Sequence, residues 1–356
     1  MKERNKALDL MKSILVVQMI IAHITYFFCK EGQVSLIGLY TNLIVFSGFM
    51  FTFGYVCYKA YLAKDNINLK RRLTKRFIIT IIAYYISGVA YTVLIEKTFD
   101  LNILIKILSL QKIPKYSEFL LSFAFTYPLI YIFSKFSKKL TNIYYLILAL
   151  LSLAFTFIDY SLIKIPLIGV FIGTSSFASF PIIQYSSYFL AGEYLAKEDK
   201  VIDKTILGIS ILGFILFIGY IFAFKDLPKR FPPSLFWIVG GYLFVYTYFI
   251  LSENLVNLLK TKLILSIGTN SLIYLVVSNL IIFTCHNILS RLDITLTGIY
   301  QLILILTIFL LCLTCSYLYI NILNKLKSHH NWWLLINFVY RDKVLLLKYQ
   351  DFDSLK

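Results

Sequence analysis

Charge is what this sequence has least of. Only 15% of its 356 residues are charged and 59% are hydrophobic, whereas a soluble globular protein is about a quarter charged and half apolar. A mean hydropathy of +0.77 over this length excludes a soluble fold, a secreted disulfide scaffold and a disordered chain. Acidic residues are scarcer still, 18 against 35 Lys and Arg, for a net charge of +17. On a soluble protein that excess would point to nucleic acid. Here the cations flank apolar runs, which points to membrane topology and to membrane lipid as the surroundings. The five cysteines lie in or beside apolar runs without paired metal spacing. Cys312 and Cys315 form a C-x-x-C inside a run with no His or acidic neighbour, so they read as small packing residues and no metal is expected. There is no internal repeat to suggest an inverted-repeat transporter, no Gly/Ser linker, and no filter-like segment or ring of charge to suggest a channel. The first apolar run has no small-residue cleavage site and reads as a span, not as a removable leader.

What is present is a series of long apolar blocks. Ten are read as transmembrane helices, at 8–28, 39–58, 77–95, 117–134, 141–159, 178–196, 205–224, 234–252, 263–285 and 298–322. Each approaches the roughly 20 residues needed to cross a bilayer as a helix. The fold class expected is therefore all-α, a polytopic membrane bundle. The 117–134 block is the weakest, with Glu118 and Pro128 inside it. Residues 101–110 are too short to cross and suit an amphipathic helix in the interface. Residues 1–323 form the transmembrane domain. Residues 324–356 form a tail in which Trp332, Trp333 and nearby cations suit the cytoplasmic headgroup zone; His329 and His330 have no acidic or Cys partner at ligand spacing. With the N-terminus in the cytoplasm, 25 of the 35 cations fall inside and 10 outside. A cell-membrane protein with both termini cytoplasmic is expected. The outer loop 225–233, KDLPKRFPP, runs against the trend with three cations.

Ionisable residues inside spans are costly and mark functional candidates. The first span holds Asp9, Lys12 and His23. Lys12 and His23 are eleven residues apart, close to three helical turns, so they share a face about 16 Å apart. Asp9, three before Lys12, joins that face. Asp9 and Lys12 read equally as an interfacial anchor, and His23 as a hydrogen-bonded packing residue. Yet imidazole is the side chain best suited to move a proton near neutral pH. At the mouth of the third span, KRRLTKR at 70–76 sets topology or grips phosphate, which guanidinium groups hold in a bidentate way.

These residues resemble a known family. LDLMKSILVVQMIIAH looks like the opening of the membrane acyltransferase-3 family, L-D-x-x-R-x10-H, with Lys12 in place of the arginine. IVFSGFMFTFGYV resembles its F-x-x-S-G-F stretch through Ser47, Gly48 and Phe49, followed by the basic residues Arg71, Arg72, Lys75 and Arg76. PIIQYSSYFLAGEYLAK resembles its Y-F-x-x-G segment, KRFPPSLFW an outer-loop stretch, and IGTNSLIYLVV its G-x-x-S-L-x-x-Y-L segment. The histidine often found after that last segment is absent, as is a tryptophan common near the start of the fourth span. The likeness is to the stand-alone type, without the hydrolase-like domain some members carry.

The resemblance implies transfer of an acyl group, usually acetyl from acetyl-CoA, to a hydroxyl of a surface glycan or lipid-linked sugar. His23 would then take the proton of the acceptor hydroxyl or support transfer through an acyl intermediate, and Lys12, oriented by Asp9, would sit on the cytoplasmic side near the donor. Arg71, Arg72, Lys75 and Arg76 would bind the coenzyme phosphates. Ser47, Lys229 and Arg230 would contact the acceptor, the last two through an anionic glycan. Acyl-CoA is then a substrate, not a bound cofactor. The alternative is an exporter of glycan or lipid-linked sugar, or a non-enzymatic partner in polysaccharide assembly; 27 tyrosines suit stacking on sugars as well as anchoring in interfaces.

Overall fold

The computed structural model describes residues 5–29, 35–63, 68–98, 100–137, 140–259, 261–292 and 297–328, and among these the regular structure is entirely helical. In chain order the α-helices are α1 (Lys6–Phe28), α2 (Ser35–Cys57), α3 (Leu69–Leu94), α4 (Leu101–Leu108), α5 (Glu118–Ser137), α6 (Asn142–Ala154), α7 (Pro166–Ile172), α8 (Ile182–Glu198), α9 (Lys204–Phe224), α10 (Leu235–Gly240), α11 (Tyr242–Leu259), α12 (Lys262–Thr269), α13 (Ser271–Arg291) and α14 (Ile299–Ser328). Caps fix several starts. The Asn5 side chain accepts the amides of Ala7 and Leu8, and Asp203 accepts those of Thr205 and Ile206, satisfying donors that a first helical turn leaves open.

Among the described residues, eight helices are long and apolar enough to cross a membrane. They carry an apolar exterior, with Leu212, Ile215 and Phe222 exposed on α9 and Leu302, Leu306 and Leu310 on α14. Such a surface is stable against lipid and not against water. The chain is a multi-pass helical membrane protein. Eight of the ten expected spans fall on these helices; the other two fall on helices too short to be counted with them. The block 141–159 is the short apolar stretch Asn142–Phe157, and 178–196 is the 17-residue α8, in which Gln184 and Glu193 are fully buried. Other boundaries move as well. The block 263–285 divides into α12 and α13, and 234–252 into α10 and α11. The 101–110 segment folds as the short α4, with Leu101, Ile105 and Leu108 exposed together. Pro128 lies inside α5 without ending it. α14 continues past 323 to Ser328, and the rest of the tail, with His329, His330, Trp332 and Trp333, lies outside the described residues.

α1 is the axis of the bundle, packed by α2, α11, α12, α13 and α14. The end where it begins is called proximal here, and the other distal. Asn5 bonds Glu253 of α11 at the proximal end, and Gln301 of α14 donates to the Phe28 carbonyl at the distal end (2.7 Å), so both helices run antiparallel to α1. α2 and α8 cross closely because neither has a side chain at the contact. A Cβ on Gly54 would strike the Phe189 carbonyl, and one on Gly192 the Phe51 carbonyl. Gly268 of α12 sits in the same way against the Asp9 carbonyl. Without a hydrophobic effect between helices in lipid, such close approach supplies the van der Waals contact that holds them together.

Candidate functional site

At the distal end the helices leave a cavity of about 540 Å³. α1 contributes His23 and Tyr26, α2 contributes residues 38–46, and α5 contributes Glu118 and Phe119; the connecting segments add Lys115, Tyr116, Phe180, Arg230 and Phe231. The walls are thus aromatic, with a few convergent polar groups, which is the usual make-up of a ligand site.

His23 is held from α13. Its Nδ1 lies 3.0 Å from Asn279 Oδ1. The Asn279 amide nitrogen donates to Ser87 Oγ at 2.9 Å and to the Tyr116 carbonyl at 3.3 Å. A carbonyl only accepts, so the NH2 group must face Tyr116 and the oxygen must face the imidazole. Nδ1 therefore carries a hydrogen, and in the neutral ring Nε2 carries the lone pair. Fixing one ring nitrogen in this way selects the tautomer and leaves the other free for proton transfer. Asn279 and Ser87 are fully buried, so this arrangement is rigid.

Tyr116 completes the frame. Its backbone is left-handed (φ 63°), a conformation that costs a residue with a side chain roughly 1–2 kcal/mol. That turn places its ring edge-on to His23, with centroids 5.0 Å apart. It also turns the amides of residues 116–118 toward the Glu118 carboxylate. Glu118 is buried at 6% exposure in the first turn of α5, where the helix dipole favours an acid. Burial pushes the Tyr116 phenol up from its ordinary range.

Arg230 enters from the loop between α9 and α10. Its guanidinium stacks on Phe231, 4.4 Å from the ring centroid, and Phe231 meets Phe180 edge-on at 5.2 Å. Burial lowers the Arg230 pKa from its ordinary value, because desolvation disfavours the charged form. Its neighbour Lys229 is exposed and off the cavity wall, its carbonyl accepting the Ser234 amide.

The remaining expected site residues stand elsewhere. Asp9 is buried and pairs with Lys12 at 2.7 Å near the proximal end. Arg71, Arg72, Lys75 and Arg76 are exposed in the first two turns of α3, with Arg72 over the Tyr61 ring. Cations in a first turn oppose the helix dipole, so something outside the helix must account for them. Ser47 is buried and donates to the Leu43 carbonyl of its own helix at 3.0 Å. Gly48 beside it gives room to Leu15 of α1. That pair packs helices and does not line the cavity.

The structure thus unites His23 and Arg230 and leaves the basic cluster and the Asp9–Lys12 pair apart from them. It adds Asn279, Tyr116, Glu118 and Lys115, none of which the sequence patterns singled out as site residues. An amide such as Asn279 in the middle of an apolar run was the available signal for one of them. Among the described residues no three His, Cys, Asp or Glu side chains gather as metal ligands. No family model, curated protein or solved structure matches the chain.

Proposed function

We propose that the chain is a membrane-bound O-acyltransferase that moves an acyl group, acetyl in the first instance, from acyl-CoA to a hydroxyl of a cell-surface or lipid-linked glycan. The observation that carries this reading is the His23–Asn279 pair on the wall of the distal cavity. An imidazole with Nδ1–H held by an acceptor and Nε2 unprotonated is set up as a general base. Nε2 takes the proton of an acceptor hydroxyl as its oxygen adds to the thioester carbonyl. The adduct then collapses, the C–S bond breaks, and the coenzyme leaves as a thiol with the proton returned by the imidazolium. Asn279 Oδ1, facing Nδ1–H throughout, favours the charged ring. The aromatic walls suit a sugar ring and exclude water from the thioester.

In this reading the protein lies in the cell membrane with both termini cytoplasmic and ten crossings, α6 and α8 included. Those two helices reach only about 20 and 26 Å at 1.5 Å per residue, a shortfall that the short 3₁₀ turn after α6 and local thinning of the bilayer accommodate. The proximal end is then cytoplasmic, and Arg71, Arg72, Lys75 and Arg76 face the compartment that supplies acyl-CoA. Asp9 and Lys12 stand at the same end of α1. The test is acetylation of the surface polymer, or of a purified acceptor, by parent protein and by His23→Ala: an acyltransferase loses transfer, while an exporter consumes no acyl-CoA in either form.

A further inference from the structure

The charge in the distal cavity is unbalanced. Arg230 is only partly exposed, stacked on Phe231, on a cavity wall that Phe180 shares. No carboxylate among the described residues comes within ion-pair distance of it; its neighbours are the Phe231 ring and the phenols of Tyr185, Tyr116 and Tyr26. Glu118 lines the same cavity, but backbone amides of residues 116–118 take up its carboxylate. Lys115 is exposed at the rim and forms no ion pair among the described residues. A guanidinium withdrawn from water without a counter-ion is unfavourable, and its planar fork matches the oxygens of a phosphate or carboxylate.

Resting on the reading of this cavity as the acceptor site, we infer that it selects an acceptor glycan bearing a phosphate or carboxylate group. Arg230 is the main counter-ion and Lys115 the second. The aromatic walls hold the sugar ring, and the anion fixes which hydroxyl comes to His23. Sequence alone paired Arg230 with Lys229; the fold replaces Lys229 by Lys115, a residue more than a hundred positions away.

The experiment measures binding without any acyl donor, so its outcome is separate from that of the transfer assay. Full-length protein in discs of neutral lipid is titrated with a hexuronate oligosaccharide, a glycerol-phosphate oligomer and a neutral glucan of equal length. At least one anionic oligomer should bind roughly ten- to hundredfold more tightly than the glucan, the value of a charge-assisted hydrogen bond or two. Arg230→Gln should erase the preference. Arg230→Lys should keep part of it, and Lys229→Gln all of it. Thermal midpoints of the variants show that each is folded. Equal binding of glucan and anionic oligomers, or a preference intact in Arg230→Gln, overturns the inference. So does loss of oligomer binding when phosphatidylglycerol is titrated into the discs, which assigns the cations to a lipid headgroup.

Discussion

Asn279 Oδ1 accepts from His23 Nδ1 at 3.0 Å, across 256 residues of sequence. The bond decides which nitrogen of the ring is free, and so what the ring can do. Removing the amide leaves His23 in place but frees its tautomer and its rotation. Asn279→Ala should therefore lower kcat by roughly ten- to hundredfold, the worth of one hydrogen bond to a developing charge. KM for the acceptor should stay close to the parent's. Asn279→Asp, which keeps an acceptor oxygen at that point, should retain more activity than the alanine variant. A purely structural role predicts that both variants lose activity in step with their thermal midpoints.

The crossing of α2 and α8 offers a test of the fold. Gly192→Val puts a branched side chain against the Phe51 carbonyl, and overpacking of this kind costs about 1–3 kcal/mol. The thermal midpoint in detergent should fall. Gly208→Ala, on α9 where a Cβ meets nothing within 4 Å, should leave the midpoint unchanged or raise it slightly. Equal losses in the two would mean that α2 and α8 do not meet as described.

The spans and the His23 end of α1 were legible because apolar length and an isolated imidazole are local signals. The partners of His23 were not. Asn279 and Ser87 lie in different spans, and a single polar residue in an apolar run does not say which helix it faces. Glu118 looked like a flaw in a crossing segment, whereas it begins α5 and takes its amides from the turn at Tyr116. Ser47 shows the converse: the resemblance implied an acceptor contact, but the side chain lies off the cavity wall and donates to the carbonyl four residues back in its own helix. The count of ten spans met its limit at α6 and α8. α6 is apolar and largely exposed but short, whereas α8 is held among other helices and hides a glutamate and a glutamine there.

Orientation is tested by single-cysteine labelling in a background without the five native cysteines. Lys229→Cys should react with an impermeant maleimide added to intact cells. Lys200→Cys, at the proximal end, should react only after permeabilisation. The opposite pattern would invert the protein and remove the basic cluster from acyl-CoA.

The basic turns of α3 have their own test. Replacing Arg72 and Arg76 together by Gln should weaken acyl-CoA binding by about 1.5–3 kcal/mol for each charged hydrogen bond lost. Correct insertion is checked by the same labelling. Donor binding at the parent level in a correctly inserted variant would make the cluster a topology signal alone.

Whether His23 moves the acceptor proton is read directly from transfer by His23→Gln. Glutamine keeps a polar side chain at the cavity wall but has no ring nitrogen to take and return a proton. Surface-polymer acetylation should fall by about 10²–10⁴-fold, the usual contribution of a general base, while the protein accumulates in the membrane as before. Acetylation at the parent rate by that variant would contradict the account and move the exporter reading ahead.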